Sequence, residues 1–244
     1  MSVELAFIAI GAFLGGVVTG AAGFAFAIVA GVFWVHVLSP ANFVLLAAVC
    51  ATLLHAASVW QFRSKIDYQT LWPFLAGALV GAPLGVLALS RVDPDSFRRV
   101  IGVVIVANAA YLALSTKMGH ITVPARAVRC VDGAVGLVSG VLGGLTMLHG
   151  ILPAIWCTAR GMDKLRSRLI YQPFILFSGG YVMLMVGVSA SADIPKLVTY
   201  LITCLPALLA GMWIGSRIFS RLSELLFRRV LLLLLLVSGV AMLL

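Results

Sequence analysis

Long stretches of this chain carry no charged side chain. The longest lies between Glu4 and Arg63, and further charge-free runs occupy 68–90, 100–116, 133–159, 169–192, 197–216 and 230–244. A helix of about 20 apolar residues crosses the roughly 30 Å of hydrocarbon in a bilayer, and backbone polar groups in lipid must be paired within the segment. The pattern therefore predicts an all-α, polytopic membrane protein.

Composition supports this class and excludes others. Hydrophobic residues make up 62% of the 244 positions, charged residues make up 10%, and the mean hydropathy is +1.14, whereas soluble domains carry about 25% charged residues. The net charge of +9 comes from Lys and Arg in the short connections between apolar runs, as the positive-inside bias predicts. We therefore expect a multi-pass protein of the bacterial inner membrane, surrounded by lipids and without a nucleic-acid partner.

Three sequence patterns occur twice, in the same order along the chain. They are Gly-x-x-x-Gly-x-x-Gly at 16–23 and 136–143, Ala-Gly-x-x-x-Gly at 76–81 and 210–215, and Phe-Arg-Arg-Val at 97–100 and 227–230. A shift of 120 relates the first pair, and the same shift places Ser139 at the position of Thr19. The shared order predicts a duplicated unit, with a first membrane repeat at 1–118 and a second at 119–244.

The first element of each repeat is interrupted by glycines. Residues 5–38 and 133–159 are each either a re-entrant hairpin of two half-helices or one long broken helix. Two hairpins would place 13 of the 17 Lys and Arg residues on one side of the membrane, whereas single crossings would place 11 there. The charge bias therefore favours hairpins, inverted repeats and about eight segments arranged as four plus four.

The two breaks form the predicted binding site for a small anion. Half-helix amino termini offer unpaired backbone N–H groups and the positive end of the helix dipole, and transporters built from repeats commonly bind substrate there. The predicted substrate-binding residues are Thr19, Gly20, Gly23, Phe24, Ser139, Gly140, Gly143, Gly144, Thr146 and Gln172. Small residues four apart are also typical of helix packing, so both interpretations of these glycines stay open. The glycine rows at 77–85 and 211–215 lack neighbouring hydroxyls and are interpreted as packing residues.

Two histidines within apolar runs are the candidates for proton transfer. His55 lies in mid-helix and His149 follows the second break, so either can relay a proton or donate to an anion. A hydrogen-bonded structural histidine is the alternative for each. Asp132 is interpreted as a helix-start residue rather than a proton carrier. These residues make protons the expected coupling ion.

Motifs for other chemistry are missing from the sequence. It contains no Walker A, HExxH or G-x-S-x-G pattern, and its four cysteines show no CxxC or Cys/His clustering. We therefore expect no enzyme activity, no metal and no cofactor, and we favour gradient-driven transport of a small anion. An anion channel or an uptake permease is the nearest alternative, and a membrane enzyme or assembly factor is a distant one. A homodimer is left open.

Two longer blocks carry a family resemblance. The stretches 73–85 (PFLAGALVGAPLG) and 168–174 (RLIYQPF), together with the segment 23–26 (GFAF) and the glycine turn at 140–144, resemble the TauE/SafE family of sulfite and organosulfonate exporters, also called the TSUP permeases. The resemblance implies a duplicated bundle of about eight membrane segments that exports small anions such as sulfite or sulfonates. The chain departs from the family at 143–145, where it reads Gly-Gly-Leu instead of Gly-Gly-Pro.

Overall fold

The computed structural model describes residues 2–114, 121–188 and 194–219, and the single positions 232, 236 and 239. The regular structure of these residues is helical, as the charge-free runs predict. The α-helices are α1 (Ser2–Ala22), α2 (Phe26–Trp34), α3 (Pro40–Phe62), α4 (Tyr68–Leu89), α5 (Pro94–Leu114), α6 (Ala125–Thr146), α7 (Ile151–Ala159), α8 (Lys164–Val188) and α9 (Ile194–Phe219). A short 3-10 turn at Arg63–Lys65 precedes α4.

Six of the described helices are long and apolar enough to cross a membrane: α1, α3, α4, α6, α8 and α9. Their outer faces are apolar as well, since α4 leaves Trp72, Leu79 and Leu87 between 45% and 56% exposed. The prediction of a multi-pass helical membrane protein is confirmed. The arrangement of eight segments as inverted repeats stays a prediction, and the second Phe-Arg-Arg-Val pattern lies outside the described residues.

The first broken element is a hairpin of two helices. The backbone leaves α1 with positive φ angles at Gly23 (82°) and Ala25 (78°), and α2 then runs back along α1. The indole N–H of Trp34, at the end of α2, donates a hydrogen bond to the carbonyl oxygen of Ile8 at 3.0 Å. The nine residues of α2 cover only about 14 Å, which is less than half of the hydrocarbon thickness.

Aromatic rings fix this hairpin. Phe26 and Trp34 lie edge to face with ring centroids 5.6 Å apart, Trp34 meets Phe43 at 6.3 Å, and Phe43 meets Phe97 of α5 at 5.4 Å. All four side chains are buried. Such edge-to-face pairs stabilise a fold by about 0.5–1.5 kcal/mol beyond the area they bury, so the row holds the short α2 against its neighbours.

The second broken element is also a hairpin, but its turn begins later than the glycines suggest. Gly143 and Gly144 are helical and belong to α6, which ends at Thr146, and the chain reverses through Met147 with a φ of 60°. The indole N–H of Trp156 in α7 donates to a carboxylate oxygen of Asp132 in α6 at 2.6 Å. This contact joins the second half of α7 to the first half of α6, so the two helices are antiparallel.

Backbone contacts divide the chain into two compact units. The first unit contains α1, α2, α5 and α9, and the second contains α4, α6, α7, α8 and nearly all of α3. Each unit therefore draws helices from both halves of the sequence. The proposed repeats, 1–118 and 119–244, describe a duplication of the sequence and stay a prediction.

Glycines allow α1 and α9 to pack backbone against backbone in the first unit. A Cβ atom on Gly211 or Gly215 would lie well under 3.0 Å from the carbonyl oxygens of Phe13 and Val17, respectively. Residue numbers rise together on the two helices, so the pair is parallel. Without a hydrophobic driving force between helices in lipid, close van der Waals contact of this kind is what associates them.

The second unit repeats this arrangement in α4 and α6. A Cβ atom on Gly77 or Gly81 would collide with the carbonyl oxygens of Gly133 and Leu137. The carbonyl groups of Gly133 and Leu137 lie 120 positions after those of Phe13 and Val17, which face Gly211 and Gly215 in the first unit. The α4 glycines lie 134 positions before the α9 glycines. The packing interpretation of the α4 and α9 glycine rows is confirmed. The shift of 120 that relates the sequence patterns also relates the carbonyl groups in these contacts.

We expect Gly81→Ala and Gly215→Ala to destabilise the protein by a similar amount, about 1–3 kcal/mol or more, because each methyl group would meet a carbonyl oxygen that cannot move without separating two helices. Thermal unfolding in detergent measures the effect. Gly187→Ala in α8 is the control, because no atom lies within 4 Å of its Cβ position. Equal unfolding temperatures for Gly81→Ala and Gly187→Ala would contradict the close packing of α4 on α6.

Asp67 caps the amino terminus of α4. Its carboxylate accepts hydrogen bonds from the backbone N–H groups of Gln69 and Thr70 at 3.0 and 3.2 Å and from the Thr70 hydroxyl at 2.7 Å. The Thr70 hydroxyl is the largest cause that lowers the pKa of Asp67, and the backbone bonds add to it. The charged form of Asp67 therefore stabilises the helix start.

Asp67→Ala should lower the free energy of unfolding by about 1 kcal/mol at neutral pH. Because the folded-state pKa lies below the unfolded value, this stabilisation is present above about pH 4 and is lost as the pH falls through the lowered pKa. Unfolding midpoints of the wild-type protein and of Asp67→Ala, measured across acidic pH, should show the stability difference between them becoming smaller. Asp67→Asn keeps an acceptor that does not titrate, so its effect should be small, and a pH-independent Asp67→Ala effect would contradict the assignment.

Candidate functional site

The turn of the second hairpin buries a histidine with an unused nitrogen. His149 lies between α6 and α7 and is 1% exposed. Its Nδ1 atom has no hydrogen-bond partner among the described residues, while its ring interacts with the backbone of Ile175 and lies edge to face with Phe174 at 6.3 Å. A buried polar atom without a partner costs about 1–3 kcal/mol, so Nδ1 is a candidate ligand-binding atom.

Gly143 provides the space that His149 occupies. A Cβ atom on Gly143 would lie 2.8 Å from the Cβ atom of His149 and 3.0 Å from its Nδ1 atom. The neighbour that approaches Gly143 is thus the site histidine. Gly140 and Gly144 differ, because the backbone of α4 at Ala78 and Ala82 lies against them.

Residues of α3 and α8 approach His149. The Thr52 hydroxyl oxygen is buried and has no partner in the described part of the chain, and His55, one turn further along α3, is 2% exposed and interacts electrostatically with His149. The Cβ position of Gly179 in α8 lies 3.5 Å from the Thr52 hydroxyl oxygen and 3.8 Å from Cε1 of His149. We call Thr52, His55, His149 and Gly179 the His149 cluster.

The sequence pointed to the two histidines of this cluster but not to Thr52 or Gly179. Thr52 precedes His55 by three positions, which places both on one face of α3. This spacing could have indicated that Thr52 lies in the same site as His55. Nothing in the sequence connects Gly179 with Thr52, because their proximity depends on how α3, α8 and the turn pack together.

The remaining predicted residues of the second unit are buried near α6 or in α8. Ser139 is fully buried and its hydroxyl has no partner among the described residues. The Thr146 hydroxyl instead donates to the carbonyl oxygen of Leu142 at 2.8 Å. Gln172 in α8 is 6% exposed and lies two positions before Phe174, which packs against His149.

The predicted residues of the first unit surround the first turn. The Thr19 hydroxyl is buried without a partner in the described segments, as is the hydroxyl of Ser139 at the corresponding position. Gly23 supplies the positive φ angle at the turn, and Phe24 follows it, partly exposed. Gly20 packs against α9, since a Cβ atom there would lie 3.0 Å from the backbone nitrogen of Ser216.

Asp132 does not start a helix, so that prediction is wrong. It lies about two turns inside α6, is 1% exposed, and forms an ion pair with Arg160 at 3.2 Å in addition to its bond from Trp156. The sequence pattern suggested a cap because a charged residue precedes the long charge-free run. The Asp132 carboxylate instead connects α6 with Trp156 and Arg160, on the side of the second hairpin away from the turn.

Comparison with known families gives a match along nearly the whole chain. The family model described as sulfite exporter TauE/SafE matches residues 8–242. No curated protein and no solved structure matches the chain.

Gly143→Ala should destabilise the protein by about 1–3 kcal/mol, because the new methyl group displaces the His149 ring. Chemical or thermal unfolding in detergent measures this change, and Gly133→Ala in the same helix is the control, since the nearest atom to its Cβ position is 3.7 Å away. In a double-mutant cycle with His149→Gly, which removes the Cβ atom as well as the ring, the cost should largely disappear. Additive effects of the two substitutions would show that the ring does not rest on Gly143.

Proposed function

Because the chain belongs to the TauE/SafE family of sulfite exporters, we propose that it is a secondary active transporter that exports a small anion across the bacterial inner membrane. Sulfite or an organosulfonate is the proposed cargo. The six long apolar helices of the described residues support a membrane-embedded carrier.

The observation that carries this proposal is the set of buried, unpartnered polar atoms at the second hairpin turn. The Nδ1 atom of His149 and the hydroxyl oxygen of Thr52 are free to bind a ligand, and α7 begins directly after this turn at Ile151. The first N–H groups of a helix have no partner within it and favour a negative charge. A small oxyanion can use such donors in place of its hydration shell.

The proposed donors are neutral, which suits transport better than tight capture. Arg160, a partly exposed cation at the end of the second hairpin, is already paired with Asp132 at 3.2 Å. An anion held by hydroxyl and backbone N–H groups gains enough to enter a low-dielectric site and can still leave it. A carrier needs this balance, because binding that is too tight would stop release.

The first hairpin is proposed to offer equivalent groups to an anion. Thr19 offers a buried, unpartnered hydroxyl, and Gly23 and Phe24 form the turn beside it. The other residues of the proposed binding set are Gly20, Ser139, Gly140, Gly143, Gly144, Thr146 and Gln172.

Protons are the proposed coupling ion. His55 and His149 are both buried, and histidine is the side chain whose charge changes most readily near neutral pH. Buried histidines in a membrane protein can accept a proton from one side and return it to the other.

Purified protein in liposomes loaded with sulfite tests the function. We expect saturable sulfite efflux that an imposed proton gradient accelerates several-fold, because a carrier has a finite number of sites and uses the gradient. The variants His55→Gln and His149→Gln combined should lose this acceleration. Empty liposomes and the Gly187→Ala variant are the controls.

Other outcomes identify the alternatives. Efflux that rises without saturation and ignores the gradient would indicate an anion channel. Saturable uptake with no efflux would indicate a permease of the opposite direction. The absence of flux for sulfite and for organosulfonates above that of empty liposomes would refute the proposed cargo.

A further inference from the structure

We propose that the surface between α3 and α4 binds the phosphate group of an anionic phospholipid and prefers such a lipid to a zwitterionic one. The surface consists of Trp60, Arg63, Lys65, Tyr68 and Trp72, and we call it the α3–α4 corner. All five side chains are exposed. The corner shares no residue with the His149 cluster, and its proposed role requires only that the chain spans a membrane.

The α3–α4 corner lies where two apolar spans meet the aqueous phase. The span of α3 ends at Trp60, and the span of α4 begins at Tyr68. Trp60, Tyr68 and Trp72 are 70%, 64% and 56% exposed. Tryptophan and tyrosine are enriched at the membrane–water interface, because their rings are apolar on one side and polar on the other. The corner therefore lies at the level of the lipid headgroups.

Trp60 holds the Arg63 side chain at this level. The guanidinium carbon of Arg63 lies 4.3 Å from the centroid of the Trp60 ring, a favourable arrangement of a cation and an aromatic face. Its Nη1 atom also donates a hydrogen bond to the Trp60 carbonyl oxygen at 3.0 Å. A guanidinium can donate to two phosphate oxygens at once, and one that is already fixed loses less conformational entropy when it does so.

Arg63 and Lys65 form no ion pair within the described part of the chain. The carboxylate nearest to them in sequence, that of Asp67, accepts hydrogen bonds in the cap of α4, including one from the Thr70 hydroxyl at 2.7 Å. Arg166 of α8 also acts on its charge. The corner thus carries positive charge for an anionic headgroup, and its carboxylate is engaged and poorly suited to the amine of a zwitterionic one.

Two other arginines lie over indole rings. Arg160 lies over Trp156 at 5.8 Å, but its guanidinium is paired with Asp132. Arg217 lies 4.0 Å from the centroid of the Trp213 ring, which is 56% exposed, and the apolar span of α9 ends at Arg217. An arginine over an exposed tryptophan thus occurs at the end of a span in each of the two units, as expected of residues at headgroup level.

The aromatic side chains favour a phospholipid over a soluble phosphate. A dissolved anion would gain only from two exposed cations, whose attraction water and salt weaken. A phospholipid is confined to the bilayer at the level of the corner, so its phosphate is present there at high local concentration. Its glycerol and acyl carbons can also pack against the exposed rings of Trp60, Tyr68 and Trp72.

Tryptophan fluorescence measures this binding. Wild-type protein in phosphatidylcholine vesicles is titrated with phosphatidylglycerol that carries bromine near the headgroup end of its acyl chains, because bromine quenches a tryptophan that it contacts. Subtracting the signal of Trp60→Phe isolates the contribution of Trp60. Brominated phosphatidylcholine is the zwitterionic reference. We expect phosphatidylglycerol to bind at least fivefold more tightly, since each cation near an anionic lipid surface strengthens binding about fivefold.

The combined substitutions Arg63→Gln and Lys65→Gln should abolish this preference, because they remove both cations and keep both side chains polar. The matched control combines Arg91→Gln and Arg99→Gln, which removes the same charge from two exposed arginines. Arg91 follows the other end of α4 and Arg99 lies in α5, so the control should keep the wild-type preference. A preference that both double variants lose equally would indicate a general effect of net charge and would overturn the site.

A measurement on the wild-type protein keeps the test decisive if the double variant does not fold. Raising the salt concentration from about 0.1 M to about 1 M shortens the screening length from about 10 Å to about 3 Å. The preference for phosphatidylglycerol should therefore fall several-fold. A preference that salt does not change would contradict binding through Arg63 and Lys65.

Glycerol phosphate, which has the phosphate without the acyl chains, identifies the occupant. At millimolar concentration it should not relieve the quenching by brominated phosphatidylglycerol. Relief would overturn the choice of a lipid and indicate a site for soluble phosphates. Equal quenching by the two brominated lipids would overturn the inference altogether. These outcomes are independent of which anion the protein transports, so they leave the proposed function to its own test.

Discussion

The close approach of helix backbones at glycine is the contact on which the rest of this structure depends. In lipid, apolar side chains gain little by leaving one apolar surface for another, so helices associate through dispersion contacts that need short distances. Gly81 on α4 and Gly215 on α9 each face a carbonyl oxygen that leaves no room for a methyl group. Two parallel helix pairs result, and each holds the long helix of one hairpin in place.

The fixed helix pairs position the hairpins, and the turn of the second hairpin forms the candidate site. Because α6 is fixed against α4, the nine-residue α7 can fold back on α6 and be tied there by Asp132, Trp156 and Arg160. The first N–H groups of such a helix have no partner within it. The polar atoms of His149 and Thr52 therefore lie unpartnered beside a helix start, an arrangement that only a fixed scaffold can maintain.

Much of the fold follows from the sequence, because charge-free runs and glycine breaks report directly on lipid exposure and backbone geometry. The membrane class, the two interrupted elements and the packing role of Gly77 and Gly211 were predictable in this way. The partner of each glycine row was not, since rows of small residues with the same spacing can pack on one another in any combination. The contacts of Gly179 and Asp132 likewise depend on how the helices pack. The sequence therefore did not indicate Gly179, and it wrongly indicated Asp132 as a helix start.

Glycines that look alike in sequence thus serve different physical purposes, and the atom that a side chain would meet separates them. At Gly81 that atom is a backbone carbonyl oxygen, at Gly143 it belongs to the ring or Cβ of His149, and at Gly179 no atom lies closer than 3.5 Å. A carbonyl in contact indicates a helix interface, and a site side chain in contact indicates a support for that side chain. Side chains at ordinary contact distance, as at Gly179, indicate neither of these roles, so the surroundings of a glycine, more than its spacing, show what it does.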